Sequence, residues 1–229
     1  MNHFIQSHVK TFGAVHIGQA PRPDETVDML AILGEGYRIV EAGALDGLDA
    51  AQIAHMKPQP GEDVLVTLAN GIEVQVAERY ITPLVKQKVN GLLVQGIPLV
   101  VLMCTGIPHF ETRGKLVWSM ELLNQAAVML GRGRRVGVLT PTPEHIPQVT
   151  RNWGQLLGTT PVIQAVTPYH GVKGVQEAAL KLKSAGVELV VMDCMAYTLE
   201  MQACVREIAG VPALLPRSLA ARMVKELLG

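Results

Sequence analysis

Leu99-Val100-Val101-Leu102-Met103-Cys104 and Leu189-Val190-Val191-Met192-Asp193-Cys194 are two copies of nearly one phrase, each an apolar, valine-rich run that ends on a cysteine. Short continuous apolar runs of this kind read as strands buried on both faces, as in parallel sheets. In doubly wound α/β sheets, ligands bind at the carboxyl ends of the strands, where loops open into a crevice. Each copy is therefore expected to deliver a sulfur to a ligand-binding edge, and two sulfurs in one crevice suggest thiol acid/base chemistry.

Outward from these runs, strand-like and helix-like segments alternate. Residues 12–17, 38–42, 64–68 and 99–103 read as strands, and 24–33, 50–56 and 78–95 as helices. Residues 116–130 have helical apolar spacing, ended by Gly131-Arg132-Gly133. Strands at 135–139, 162–166 and 188–192 then alternate with helices at 144–157 and 172–185. A helix at 197–208, a strand at 211–215 and a helix at 218–228, with Ser218 as its N-cap, complete the chain. This alternation predicts an α/β protein built of right-handed βαβ units with mostly parallel sheets flanked by helices. Asn70-Gly71 signals a hairpin with a type I′ turn, an antiparallel excursion from that pattern. No low-complexity linker divides the chain.

The chain has 229 residues, enough for one large α/β domain or two small ones. Twenty basic and 20 acidic residues cancel, which argues against a nucleic-acid partner and for a small ligand. Three cysteines without a CxxC pair fit neither a thioredoxin-like motif nor a zinc ribbon, and suit a reducing cytoplasm. The first ten residues do not read as a signal peptide, and no apolar run approaches the roughly 20 residues of a membrane helix. The seven histidines show no metal-ligand spacing, and there is no GxGxxG, GxSxG or GxxxxGK[ST] motif. No cofactor is implied, and the expected location is cytoplasmic.

Cys104 and Cys194 sit at strand-to-loop turns, where backbone N–H groups can stabilise a thiolate. A strand-end cysteine also reads as a small buried hydrophobe; the matched contexts favour the reactive reading for these two, and Cys204, inside a helix, reads as structural. In the loop after the first strand, Gly18 would allow close backbone approach to a ligand and Asp24 would cap the next helix. Arg22 would either grip a ligand carboxylate or be solvated. Thr140 and Thr142, ahead of a helix in the second half, read as carboxylate binders, with Thr142 alternatively a plain N-cap. Arg217 reads as a second carboxylate clamp or a surface arginine. With Gln19, Thr105 and Tyr197 these make up the expected ligand-binding set.

His16-Ile17-Gly18-Gln19-Ala20-Pro21-Arg22-Pro23-Asp24, Glu41-Ala42-Gly43-Ala44-Leu45-Asp46-Gly47-Leu48 and the Asp193-Cys194 segment together resemble the AroM family, over residues 11–228. That family is similar in turn to the aspartate/glutamate racemase superfamily. The resemblance implies two α/β lobes related by a pseudo-twofold, the active site in the cleft between them, and one cysteine from each flanking the substrate. It also implies a discontinuous first lobe, expected as residues 1–113 plus 211–229, with 114–210 forming the second. Thr105 matches the residue that often follows the first cysteine in racemases, whereas Met195 stands where threonine usually follows the second. Gln19-Ala20-Pro21-Arg22 replaces the aspartate-serine loop typical of glutamate racemase.

The expected chemistry is cofactor-independent proton transfer at the carbon next to a carboxylate or carbonyl of a small acid, one cysteine acting as thiolate base and the other as thiol acid. Asp193 beside Cys194 would disfavour a thiolate there and make Cys104 the resting base. The alternatives are a one-cysteine isomerase or decarboxylase, and a small-molecule-binding protein without turnover. A second copy of the chain could meet it at the Asn70-Gly71 hairpin to give a homodimer.

Overall fold

The computed structural model describes residues 9–59, 63–112 and 114–229. The chain forms two compact units: unit 1 comprises residues 1–118 with 221–229, and unit 2 comprises 119–220. In unit 1, strands β1 (Lys10–His16), β2 (Tyr37–Gly43), β5 (Val100–Met103) and β6 (Leu116–Trp118) form a parallel sheet in the order β2-β1-β5-β6. Helices α1 (Pro23–Leu33), α2 (Ala50–Ala54) and α3 (Glu78–Val94) and the antiparallel hairpin β3 (Asp63–Thr67) and β4 (Glu73–Ala77) belong to the same unit. In unit 2, β7 (Val136–Thr140), β8 (Val162–Ala165), β9 (Leu189–Met192) and β10 (Ala213–Leu214) form a second parallel sheet in the order β10-β9-β7-β8. Its helices are α4 (Ser119–Gly131), α5 (Ile146–Leu157), α6 (Val172–Ser184), α7 (Leu199–Ala209) and the start of α8 (Pro216–Leu228).

Read from the first strand of each unit, the two sheets have one strand order, second-first-third-fourth, and a cysteine follows the third strand of both. The central strands are buried on both faces, which is why their sequences run apolar without alternation: every residue of β5 and of β9 is buried. The repetition extends to packing. A Cβ on Gly13 of β1 would lie 2.8 Å from Leu92 of α3, and one on Gly137 of β7 would lie 2.8 Å from Leu182 of α6. In each unit the first strand thus makes room for a leucine from the helix laid across it.

The structure corrects the lobe boundaries at both ends. Residues 116–118, expected to open a helix, form β6 and pair with β5, so unit 1 keeps the chain until Trp118. The last strand, expected in the first lobe, pairs with β9 in unit 2, and only residues 221–229 return to unit 1. Both are short fourth strands running almost directly into helices. The apolar residues of β6 merge with the helical pattern that follows, whereas β10 falls within the strand expected at 211–215 and differs only in the sheet it joins. Two local readings also change. In the hairpin turn, the Gly71 N–H donates to the Leu68 carbonyl, with φ of +80° at Gly71 and no non-glycine residue at positive φ. That excludes type I′, which needs positive φ at Asn70, and matches a type I turn closed by a left-handed glycine. Helix α8 starts at Pro216, and Ser218 lies inside it with its hydroxyl donating to the Leu215 carbonyl rather than capping.

Candidate active-site elements in each unit

In unit 1 a buried charge network ties together the carboxyl ends of β1 and β2. His16, the last residue of β1, is 2% exposed; its Nδ1 lies 3.0 Å from Glu25 Oε2 and its Nε2 2.9 Å from Glu41 Oε2. A ring with a carboxylate on each nitrogen is in its charged form, donating from both sides. Burial pulls the imidazole pKa down, but the hydrogen bonds and charges of Glu25 and Glu41 outweigh it and raise the value from 6.5 to about 9. Burial likewise opposes ionisation of Glu41, yet the His16 hydrogen bond and the Arg22 amide at 2.7 Å hold that carboxyl below its usual range.

Arg22 completes the network. Its Nε lies 2.9 Å from Asp24 Oδ1, and its second guanidinium nitrogen lies 2.6 Å from Asp24 Oδ2 and 3.0 Å from Glu25 Oε1. The guanidinium expected to be a ligand clamp is therefore engaged by two carboxylates of its own unit. Asp24 faces this arginine instead of capping α1, whose N-cap position is Arg22 itself without a side-chain cap.

The loop after β1 is locked to its neighbours by backbone contacts. Gln19 donates its amide N–H to Thr67 O at 3.1 Å and accepts the Ala69 amide at 2.8 Å through its side chain, so it joins the loop to the hairpin. A Cβ on Gly18 would lie 2.1 Å from Thr67 O. The close approach that Gly18 permits is thus to the hairpin backbone rather than to a ligand. Asp46 accepts the Ala20 amide at 2.8 Å and the Gly43 amide at 2.6 Å, clamping the β1 and β2 loops together.

Cys104 directly follows β5, is 8% exposed and belongs to the unit 1 core. The Gly106 amide donates to its Sγ at 3.2 Å, and Thr105 between them is half-buried. In unit 2, Cys194 lies two residues past β9, is half-buried, and receives the Ala196 amide on its Sγ at 3.5 Å. Both units therefore build the same local motif: a strand-end cysteine whose sulfur accepts the N–H of the residue two further on. Amide donors aimed at sulfur favour the thiolate over the thiol.

The turn carrying Cys194 is pinned from several sides. The Asp193 amide donates to Leu139 O at 2.9 Å, and its carboxylate accepts the Trp153 indole N–H at 2.7 Å. Arg217, fully buried, donates Nε–H to Met195 O at 2.6 Å. Tyr197, also fully buried, donates its hydroxyl to Val166 O at 2.7 Å. Burial first, then the negative charges at Cys194 and Asp193, raise the Tyr197 pKa well above 10, so its hydroxyl stays a donor. Arg217 and Tyr197, expected to meet a ligand, are directed at backbone carbonyls. At the end of β7, Thr140 is 1% exposed. The Thr142 hydroxyl oxygen is buried without a hydrogen-bond partner among the described residues and caps nothing.

Reading the sequence alone missed His16, Glu25, Glu41 and Trp153. The first three lie on three separate elements, and only the pairing of β1 with β2, which sets Ala14 opposite Glu41, brings them together. The signal available was a strand-end histidine followed by a glutamate in the first turn of the next helix. Burial, with Glu207 and Glu200 adding to it, pushes the Cys204 thiol up, in keeping with a structural role. Among the described residues no group of three or more His, Cys, Asp or Glu side chains is placed to hold a metal, and no helix is long and apolar enough to cross a membrane. A groove of about 880 Å³ in unit 1, lined by Lys86, Asn90, Ile97, Pro98 and Lys115 among others, lies at the amino-terminal end of β5, away from Cys104.

Two α/β units, each a four-stranded parallel sheet with a cysteine after its third strand, define a racemase-type α/β fold. Allantoin racemase from Klebsiella pneumoniae has this fold at 15% identity, with 95% of this chain and 86% of that one covered and a TM-score of 0.60. The maleate isomerase Iso from Pseudomonas putida S16 has it at 12% identity, 95% and 93% coverage and a TM-score of 0.62. Aspartate racemase from Picrophilus torridus has it at 12% identity, 96% and 94% coverage and a TM-score of 0.55. No curated protein matches the chain in sequence. The chain belongs to the AroM family, whose model, AroM protein, matches residues 12–228.

Proposed function

We propose that this AroM-family chain is a cofactor-independent racemase or epimerase that moves a proton at the carbon α to a carboxylate or carbonyl of a small acid, with Cys104 and Cys194 as its acid/base pair. One observation carries the reading: the two cysteines hold the same position in two sheets of one strand order, and each sulfur accepts the amide N–H two residues further on. One sulfur as thiolate takes the α-proton; the other as thiol returns a proton from the opposite face, and the pair titrates as a unit. Because the Arg22 guanidinium is held by Asp24 and Glu25, and Arg217 donates to Met195 O, the hydroxyls of Thr105, Thr140 and Thr142 are better suited to hold the substrate's oxygens. Allantoin racemase and aspartate racemase among the similar structures agree with the reaction class.

The test is exchange of α-protons with deuterated water across a panel of small carboxylic acids and cyclic amides, using the parent chain, Cys104→Ser and Cys194→Ser. On a substrate turned over by the parent, loss of exchange in both variants is expected; exchange as fast as the parent in both refutes the two-thiol mechanism. The difference in exposure between the sulfurs, with Cys104 the more buried, supports a second reading in which Cys194 acts alone in an isomerase or decarboxylase. It expects Cys194→Ser to be dead and Cys104→Ser merely impaired.

A further inference from the structure

The contact between Arg217 and the Met195 carbonyl falls on a particular peptide bond. The Met195 C=O and the Ala196 N–H belong to one peptide unit; its oxygen accepts Arg217 Nε–H at 2.6 Å and its N–H points at Cys194 Sγ at 3.5 Å. A cation hydrogen-bonded to an amide oxygen draws electron density through the C–N bond and leaves the N–H a stronger donor, and such chains reinforce one another inside a protein. Charge-assisted bonds are also about twice as strong as neutral ones.

From this geometry we infer that Arg217 is a positioning residue for Cys194, which fixes the Met195–Ala196 peptide and passes the influence of its charge through that peptide to the thiolate sulfur. Arg217 is fully buried, so it does this without meeting a substrate. The groups acting on this sulfur have opposed effects. Asp193, whose carboxylate accepts the Trp153 N–H, disfavours a second negative charge beside it, and the protonated Tyr197 adds none. Arg217 offsets Asp193. The turn at Cys104 has the same amide-to-sulfur contact, with Gly106 as donor at 3.2 Å. The inference deepens the two-thiol reading by making Cys194 a competent base, and its test needs no substrate, so either can fail while the other stands.

The test follows alkylation of Cys194 by iodoacetamide against pH in the full chain carrying Cys104→Ser and Cys204→Ser, alone and with Arg217→Gln, Arg217→Met or Arg217→Lys. Without the charge, the midpoint of the pH profile is expected to rise by about 0.5–1 pH units in the Gln and Met variants, slowing alkylation at pH 7 about three- to tenfold. Lysine at 217 should restore at least half of the shift. Midpoints that stay at the parent value in the Gln and Met variants overturn the inference, as does a lysine variant shifted as far as the methionine one. If these variants do not fold, the unsubstituted Arg217 decides: the Ala196 amide proton must move downfield in NMR as Cys194 ionises, and a flat profile overturns the assignment.

Discussion

Replacing His16 by glutamine should remove a pH-dependent part of the stability of unit 1. The folded state binds the imidazole proton with a pKa of about 9, against 6.5 for an unperturbed histidine. At about 1.4 kcal/mol per pH unit this difference amounts to about 3 kcal/mol of stability. The folded pKa is the raised one, so the full contribution is present below pH 6.5 and is lost as pH rises through about 9. The assay is urea denaturation of the parent and His16→Gln at pH 6 and pH 9.5, read through Trp118 fluorescence with Trp153→Phe in both chains, so that the signal comes from unit 1. The stability lost on substitution should be about 3 kcal/mol larger at pH 6 than at pH 9.5. Other groups that titrate in this range cancel in the comparison. An equal loss at both pH values would refute an imidazolium held between Glu25 and Glu41.

Gly18→Ala sets a Cβ 2.1 Å from the Thr67 carbonyl, a backbone atom that can yield only if the hairpin moves. A loss of about 1–3 kcal/mol is expected, seen as a lower thermal midpoint together with faster hydrogen exchange at the Gln19 amide, which donates to the same carbonyl. Tyr197→Phe leaves the Val166 carbonyl without its 2.7 Å donor and should cost about 1–3 kcal/mol in urea denaturation.

The fold was legible wherever a strand ended in recognisable turn chemistry. Both cysteine strands, the helix over 78–94 and the hairpin across Asn70-Gly71 lie within a residue or two of where composition and periodicity put them. Strand β6 was not legible, because three apolar residues ahead of a helix carry the same pattern whether paired or helical. Strand β10 was legible as a strand within 211–215 but not in its pairing with β9, which no local pattern encodes. The site divides along similar lines. That Cys104 and Cys194 follow buried strands is local information, present in each phrase. The partners of Arg22 are near it in sequence, Asp24 two and Glu25 three residues on, yet Glu25 is in place only once α1 forms, and Met195 O reaches Arg217 only when β10 lies beside β9. An arginine near a strand end therefore signals a buried network as readily as a ligand clamp, and burial distinguishes the two.

The discontinuity of unit 1 bears on how the chain is made. Its last segment, residues 221–229, is synthesised only after the whole of unit 2, residues 119–220. At about 5–20 residues per second, a ribosome spends on the order of ten seconds translating that intervening stretch. For that interval the nascent chain carries a first unit lacking part of a helix, while every strand of its sheet has already been translated. An early translational stop just past residue 220 would release a chain with both sheets encoded and unit 1 still incomplete, a natural target for chaperones and proteases.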